Sequence, residues 1–399
     1  MTEPDQRVGK RKTHTKSRRG CFQCKQRHTK CNEARPRCAN CVRLDVQCTW
    51  PPIPDSYPPS PRSNPGSHIS VSSPETTQHV DSFDLSIPDM RLLHHWTSKC
   101  YQSLHPDVPM KHDLWQNQMV ELGFEHPFLL HGLLALSAVH KAASAPPGDR
   151  QSLLLQADSH MSRALETHRR LLEEPTVATA VPMFSLSSTL VTYNLASAQL
   201  EKPEDPIGSL HHCFMLLQGV KVVLDPQWDQ IGSTTVFAEM SAMVLGDETL
   251  KSVDDRAKGY EVPEILRLNE LTELLLNSED KRACTSATSE LHATALRFRH
   301  MPPQSDCYSL LLRWGWNLPE RFMKLLSSHN PVACIITAYF AALLAQGYPI
   351  WWIAEWPQRI LYATEQLLAT TAELSRWLDW PRHMINTRSW STTTTPLSS

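Results

Sequence analysis

The chain lacks the short motifs that accompany common catalytic sites. It contains no G-x-S-x-G turn, no G-x-G-x-x-G or P-loop phosphate cradle, no H-E-x-x-H zinc site and no protein-kinase signature. The adjacent pairs His94–His95 and His211–His212 have no further ligands at metal-binding spacing. We therefore expect a protein that is not an enzyme.

The N-terminus also lacks the apolar segment that a secretory signal needs. Residues 1–12 are charged and polar, so we expect no export and a reducing environment. In such an environment, paired cysteines hold a metal ion more often than they form disulfides. The cysteines of this chain are therefore interpreted first as metal ligands.

Six cysteines in the first fifty residues repeat one spacing, C-x2-C-x6-C, twice at an offset of seventeen residues. They are Cys21, Cys24, Cys31, Cys38, Cys41 and Cys48. Zinc takes four ligands in a tetrahedron, so a single ion would leave two thiolates unused, whereas two ions need about eight ligand bonds from six sulfurs. Two sulfurs must then bridge. The repeat indicates the leading cysteines, Cys21 and Cys38, with Cys24 and Cys31 completing one site and Cys41 and Cys48 the other.

Charge is divided between the two parts of the chain. Residues 1–50 hold 13 Lys and Arg against 4 Asp and Glu, a formal charge of +9, and the remainder holds 26 against 37, a formal charge of −11. A compact basic module attracts a polyanion. Residues 1–20 form a basic arm without apolar periodicity, which we expect to be disordered, to contact phosphates and to serve as a nuclear import signal.

The segment Cys21-Phe-Gln-Cys24-Lys25-Gln-Arg27-His28-Thr-Lys30-Cys31, continued through Pro36 to Cys48, resembles the fungal binuclear zinc-cluster (Zn2Cys6) transcription factors. The resemblance implies a nuclear protein with two zinc ions, whose first helix enters the major groove of double-stranded DNA. The position four residues after the second cysteine is usually Lys in that family and is His28 here. Arg27 and His28 are therefore our candidates for base contacts. The full set of expected DNA-binding residues is Lys25, Arg27, His28, Lys30, Arg18 and Arg19.

Beyond this module, residues 51–88 are rich in Pro and Ser and are expected to form a disordered linker. So many prolines exclude a heptad coiled coil. The module therefore either binds DNA as a monomer or is paired by the downstream domain.

Residues 89–385 are expected to form an all-helical domain, because glycine is scarce and strand-like alternation is rare. The acidic segment 247–264 is expected to be a solvated loop, and residues 386–399 a disordered tail. The predicted helices are 89–104, 111–122, 127–143, 150–173, 177–200, 207–224, 233–245, 263–277, 281–299, 307–326, 332–346 and 357–378.

This region carries a second resemblance. Leu92-Leu-His-His-Trp96, His126-Pro-Phe-Leu-Leu-His131 and Trp377-Leu-Asp-Trp380-Pro, with His14-Thr-Lys-Ser before the cysteines, are similar to the sterol-uptake-control class of zinc-cluster activators. That similarity implies a helical regulatory domain with a sterol in an apolar pocket.

Two charge-free stretches, 176–200 and 332–354, are open to three interpretations: core helices, a membrane span, or the walls of such a pocket. Interruptions by proline and polar residues argue against the membrane span. The candidate pocket residues are Tyr339, Phe340, Trp351 and Trp352.

The sequence thus predicts a nuclear DNA-binding regulator of RNA polymerase II genes, expected to be an activator. Its expected partners are promoter DNA, the transcription machinery, a sterol or other apolar effector and, through the regulatory domain, a second copy of the chain. Its pathway is either sterol-type regulation or a secondary-metabolite gene cluster. The alternative is a metal-stabilised protein-interaction module without specific DNA readout.

Overall fold

The computed structural model divides into two units, residues 1–79 and 80–399, which are described separately. The predicted arm (1–20), the linker up to residue 84, the predicted helix 233–245 and the last nine residues lie outside the described residues. The structure describes residues 21–27, 29, 31, 37–44, 46–49, 85–106, 108–174, 176–224, 247–302 and 305–390.

The described part of the first unit contains two short helices, α1 (Phe22–Gln26) and α2 (Ala39–Arg43). Each begins directly after a cysteine, Cys21 or Cys38, whose extended backbone makes it the N-cap. The buried side chains of this unit are cysteines rather than aliphatic residues. A segment of this size cannot bury enough apolar surface to fold by that means alone.

The second unit consists of helices, and no strand occurs in its described residues. The predicted fold class, a cysteine cluster followed by an all-α domain, is therefore confirmed. Single π-helical turns follow α3 (Trp96–Cys100) and precede α5 (Leu114–Gln118), and 3-10 turns lie at Pro109–Lys111 and Arg376–Leu378. The helices are α3 (Ile87–His95), α4 (Tyr101–Leu104), α5 (Met119–Glu125), α6 (Pro127–Ala143), α7 (Pro147–Glu173), α8 (Val177–Leu200), α9 (Pro206–Leu224), α10 (Asp247–Ala257), α11 (Pro263–Leu266), α12 (Leu268–Thr272), α13 (Ser278–His300), α14 (Cys307–Asn317), α15 (Glu320–Ser327), α16 (Pro331–Leu344), α17 (Trp356–Leu367), α18 (Ala372–Ser375) and α19 (Asp379–Thr387).

Helix α6 is the centre of the N-terminal half of this unit. It is apolar on every side, and most of its residues are buried against α3, α7 and α8. Ser137 Oγ of α6 donates a hydrogen bond to the carbonyl of Leu92 in α3 at 2.7 Å. Gly132 permits the close approach of α8, because a Cβ there would lie 2.3 Å from Leu186 Cδ1. The predicted bounds of α6 and α8, 127–143 and 177–200, are those of the structure.

Helix α16 is the centre of the C-terminal half, and its residues from Val332 to Leu344 are all buried. Phe340 stacks on Trp314 of α14 with ring centroids 4.6 Å apart and meets Phe214 of α9 edge-on at 5.6 Å. Gly315 allows α9 this close, since a Cβ there would lie 2.2 Å from Phe214 Cδ1. An aromatic side chain buries roughly 150–250 Å², so this cluster contributes much of the stability that joins the three helices.

No helix among the described residues combines the length and the apolar character needed to cross a bilayer. The charge-free stretches 176–200 and 332–354 include α8 and α16, which lie in the helical core.

The prediction of a solvated loop at 247–264 is wrong for its first part, because Asp247–Ala257 forms α10. Leu250, Val253 and Ala257 recur at helical spacing and are buried. Asp254 accepts hydrogen bonds from Arg297 of α13 at 2.8 and 3.2 Å. Asp255 is exposed, and the number of acidic residues made the segment resemble a loop.

Three predicted helices, 263–277, 307–326 and 357–378, are each interrupted. Pro319 separates α14 from α15, because proline has no backbone N–H and disfavours helical geometry in the residue before it. The segment 263–277 is divided into α11 and α12 and its helix ends at Thr272, and Asn277 caps the next helix, α13, by accepting the backbone N–H groups of Glu279 and Asp280. In the third segment, α17 ends at Leu367 and is followed by two short turns.

The helical unit is also longer than the predicted 89–385. Ser86 caps α3 in a reciprocal hydrogen-bonded pair with Asp89, and Pro88 lies in the first turn, where no N–H is needed. At the other end, α19 continues to Thr387, and Trp390 stacks on Phe298 with centroids 6.4 Å apart. Residues 85–88 and 386–390, predicted as linker and tail, are part of the helical unit.

Candidate metal centre and nucleic-acid interface

The six N-terminal cysteines place their sulfur atoms in two overlapping sets of four. One set is Cys21, Cys24, Cys31 and Cys38, and the other is Cys21, Cys38, Cys41 and Cys48. Within each set, all four Sγ atoms lie within 4.8 Å of one another. Cys21 and Cys38 belong to both sets, with their Sγ atoms 3.7 Å apart. They are the two residues that the repeat indicated as bridging ligands.

The same local backbone structure, repeated after seventeen residues, positions both sets. Each of α1 and α2 has one cysteine at its N-cap and another three residues later, and side chains at that spacing lie on one side of a helix. After each helix the chain turns back through one hydrogen bond. Thr29 donates to the carbonyl of Cys24 and Val46 to that of Cys41, both at 3.0 Å. These turns bring the third cysteine of each half to the first two.

A clasp of Phe22, Gln23 and Thr49 closes the module. The backbone N–H of Phe22 donates to the carbonyl of Thr49 at 2.9 Å, and the backbone N–H of Thr49 donates to Gln23 Oε1 at 2.9 Å. Arg37 Nη2 also donates to the carbonyl of Val46 at 2.9 Å. The sequence did not reveal the clasp, because it joins residues 26 apart that share no pattern.

The shared cysteines differ from others of the cluster in pKa. Burial acts to raise the pKa of these thiols, because it disfavours the thiolate. Burial is the largest single effect on Cys38, but the hydrogen bonds from the backbone N–H of Cys41 and from neighbouring thiols together outweigh it and lower the pKa to about 6. In Cys21, hydrogen bonds from the backbone N–H of Cys24 and from neighbouring thiols likewise outweigh burial together and lower the pKa. Burial raises the pKa of Cys24 to about 12 and also raises that of Cys41. The environment thus favours thiolate at the two shared positions.

The donor geometry fits zinc. Four sulfurs around one zinc ion at about 2.3 Å would lie about 3.8 Å from one another. The Sγ atom of Cys21 lies 3.7 Å from that of Cys41, and Cys24 Sγ lies 3.5 Å from Cys38 Sγ. All six cysteines are free of disulfides. Two zinc ions held by these two sets would replace the missing hydrophobic core and couple metal binding to folding.

Helix α1 and the residue that follows it expose two basic side chains next to the buried cysteine. Lys25, Gln26 and Arg27 are exposed, whereas Cys24 is buried. Lys25 Nζ lies 5.9 Å from the ring centroid of Phe22, within reach of a cation–π contact. Two of the predicted DNA-binding residues are thus exposed at the end of α1, one in its last turn and one directly after it. The other four, His28, Lys30, Arg18 and Arg19, lie outside the described residues.

Helix α2 exposes side chains of a different kind at the equivalent positions. Seventeen residues after Lys25, Gln26 and Arg27 stand Val42, Arg43 and Leu44, of which Val42 is 56% and Leu44 51% exposed. The two halves therefore have similar backbone structures but different exposed side chains, and those of the first half are the ones suited to a polyanion.

Each of the four predicted pocket residues packs against a different ring of the helical unit. The indole N–H groups of Trp351 and Trp352 are bonded to Ser103 Oγ and to the carbonyl of Leu104. Measured between ring centroids, Tyr339 lies 5.0 Å from Trp380, Phe340 4.6 Å from Trp314, Trp351 4.9 Å from His140 and Trp352 5.5 Å from Tyr308.

Two family models match the chain. The fungal Zn(2)-Cys(6) binuclear cluster domain matches residues 19–57, which include all six cysteines. The fungal specific transcription factor domain matches residues 91–203, which include most of α3 and all of α4 to α8.

Similar proteins agree with these matches. A Zn(2)-C6 fungal-type transcription factor of Gibberella zeae is 23% identical over 93% of this chain and 86% of its own length. The Zn(2)-C6 fungal-type transcription factor afumD of Aspergillus fumigatus is 32% identical over 44% of this chain and 45% of its own. Sterol uptake control protein 2 of Candida albicans is 50% identical over 52 residues, only 12% of this chain and 7% of that protein. That last stretch is too short to indicate what the helical unit binds.

The paired sulfur sets, the two matched domains and the relatives lead to one conclusion. The chain carries a fungal Zn(2)-Cys(6) binuclear cluster domain and a fungal specific transcription factor domain, and it is a zinc-binding, DNA-binding regulator of transcription.

Proposed function

We propose that this regulator acts in the nucleus as an activator of RNA polymerase II genes, and that helix α1 reads its DNA site. The observation that carries the proposal is that Lys25 and Arg27 are both exposed at the end of a helix whose buried cysteine, Cys24, belongs to a sulfur set. The basic excess of residues 1–50 supplies the long-range attraction to phosphates.

Within this proposal the side chains have different roles. Cys21 and Cys38 bridge two zinc ions, and the other four cysteines each bind one. Arg27 and His28 contact base edges, because a guanidinium can donate two parallel hydrogen bonds to guanine and an imidazole can donate one. The phosphate contacts are assigned to Lys25, Lys30, Arg18 and Arg19.

The test is selection of bound duplexes from a random pool by the full, zinc-loaded chain, followed by binding of the selected site at several salt concentrations. Arg27→Gln should weaken binding to the selected site by about 1–3 kcal/mol and relax selection at one base position. Lys25→Gln should weaken all duplexes alike and reduce the slope of log K against log salt by about 1.

Arg43→Gln is the matched control, because Arg43 is the exposed basic residue of α2. It should leave base selection unchanged. Selection that changes with Arg43→Gln but not with Arg27→Gln would place base reading on α2 and overturn the proposal. Failure to select any sequence would leave the alternative of a protein-interaction module.

We also propose that an apolar effector, a sterol in the first instance, acts on the helical unit. Each of the four candidate pocket residues already packs against another ring, so a sterol would have to displace ring contacts to enter. Saturable binding of radiolabelled sterol to the full chain, lost in Phe340→Ser but kept in the surface variant Tyr362→Ser, would support this site. Sterol binding that is absent or not saturable would remove it.

Pairing of two copies through the helical unit remains a prediction that sedimentation of the zinc-loaded chain, with and without its DNA site, would test. The pathway, sterol-type or secondary-metabolite, would follow from mapping the occupied promoters.

A further inference from the structure

A groove of about 420 Å³ runs along the exposed face of α3. Its lining changes in character from one end to the other. Ile87 and Met90 form an apolar end and are 61% and 45% exposed. Arg91, Lys99 and Lys141 supply positive charge farther along, the last from the final turn of α6.

These cations are not neutralised within the protein. None of Arg91, Lys99 and Lys141 makes an ion pair in the described part of the chain, and the groove is lined by no acidic side chain. The one carboxylate of α3, Asp89, is engaged on another side, where it accepts hydrogen bonds from the Ser86 backbone N–H at 3.0 Å and from His160 at 3.1 Å. The rest of the helical region is acidic overall. A local basic site on such a body favours an anionic ligand.

One side chain at the basic end of the groove is held in place by a hydrogen bond. His95 lines the groove and hydrogen-bonds His140 of α6 at 2.8 Å, which fixes its ring. Burial lowers the pKa of His95, and the charges of Lys141 and Lys99, which line the same groove, lower it further.

The helix also departs from regular geometry at this end. Trp96–Cys100 forms one π-helical turn, a feature that is often found at functional sites. Gln116 Nε2 donates to the carbonyl of Thr97 at 2.9 Å and so satisfies one of the backbone groups in this turn.

We propose that this groove binds an aliphatic carboxylate, with its anionic head between Lys99 and Lys141 and its apolar chain along Met90 and Ile87. From Ile87 to Lys99 the helix spans about 18 Å, so the site can hold an extended chain of that order. The groove's volume falls within the range of ligand sites in proteins, about 300–1,000 Å³. The inference does not rest on the proposed mode of DNA reading, and its test does not use DNA.

The experiment is calorimetric titration of the full, zinc-loaded chain with decanoate. Decanol, which has the chain without the charge, and acetate, which has the charge without the chain, are the comparison probes. Decanoate should bind saturably at one site per chain. Decanol and acetate should each bind at least about tenfold more weakly, since a charge-assisted hydrogen bond or the buried chain is then lost.

Lys99→Gln combined with Lys141→Gln should weaken decanoate binding by about tenfold or more and leave decanol binding unchanged. Lys251→Gln, which removes an exposed cation of α10, should change neither. Tryptophan fluorescence of each variant checks that the fold is kept. Equal binding of decanoate and decanol, no saturable decanoate binding, or a double variant that binds decanoate as the parent does would each overturn the proposal.

Discussion

Acid should destabilise the helical unit through two histidine pairs that tie α3 and α7 to α6. His131 Nδ1 lies 2.9 Å from His160 Nδ1, and His160 Nε2 donates to Asp89 at 3.1 Å. The second pair is His95 with His140. In each pair one imidazole must accept the hydrogen bond, so the contact needs at least one neutral ring. Burial, followed by the effect of the partner histidine, lowers the pKa of both His131 and His140 to about 4.

The sign and size of the effect follow from these values. An unfolded histidine titrates near pH 6.5, so between pH 6.5 and about 4 the unfolded chain binds more protons than the folded one, and stability falls as the pH falls. Between pH 7 and pH 5, a histidine with a folded-state pKa of about 4 lowers the free energy of unfolding by about 2 kcal/mol. His131 and His140 together should therefore lower it by about 4 kcal/mol. That is a large share of the roughly 5–15 kcal/mol by which domains are stable.

Urea unfolding of the full chain at pH 7 and pH 5, followed by tryptophan fluorescence, measures this loss. All tryptophans except Trp50 lie beyond the metal centre and its flanks, so the signal reports the helical unit. His131→Gln with His140→Gln should reduce the loss between the two pH values by about 4 kcal/mol, whatever its stability at pH 7. Replacement of the exposed His383 by Gln is the matched control and should leave the loss unchanged. An equal loss in the parent and the double variant would refute the reasoning.

Further predictions concern the metal centre and the core. Cys38→Ala removes a ligand from both sulfur sets, whereas Cys48→Ala removes a ligand from only one. Elemental analysis should therefore find both zinc ions lost in the first variant and one kept in the second. Equal zinc contents would contradict the shared position of Cys38. Lys111→Met should lower the free energy of unfolding by about 3–5 kcal/mol, because it removes the ammonium group from the buried carboxylate of Asp306. Little change in urea would show that this carboxylate, which also lies 3.7 Å from His105, does not depend on Lys111. Gly315→Ala should lower the free energy of unfolding by about 1–3 kcal/mol, since the new methyl group would clash with the ring of Phe214. An unchanged midpoint of urea unfolding would show that α9 can move aside.

The parts of the molecule that can be predicted from sequence are those in which one residue type has one physical use. Cysteines at a repeated spacing have few roles other than shared zinc ligation, so the spacing alone predicts the two overlapping sets. The all-round apolar pattern of α6 likewise leaves an internal helix as its only stable arrangement.

The wrong predictions concern segments in which one residue type has two uses. Pro88 breaks a helix interior but suits a first turn, so the sequence pattern places the start of α3 in the linker. The acidic residues of α10 are equally typical of a loop and of an exposed helix face, and only the stripe of Leu250, Val253 and Ala257 distinguishes the two. The clasp that ends at Thr49 and the groove on α3 depend on contacts between distant segments, which no local pattern encodes.

The two halves of the metal centre have the same backbone structure but different exposed side chains. Their turns have hydrogen bonds of the same length, 3.0 Å, and both offer four sulfurs to one ion. A difference in function between them therefore cannot come from the scaffold. It must come from the exposed positions, which hold Lys25 and Arg27 in one half and Val42 and Leu44 in the other. Because exposed apolar side chains gain no electrostatic attraction from phosphates, we expect the first half rather than the second to face DNA. The second half would be needed for a different reason: Cys38 belongs to both sulfur sets, so without it the first zinc site would lack a ligand and α1 would lack its support.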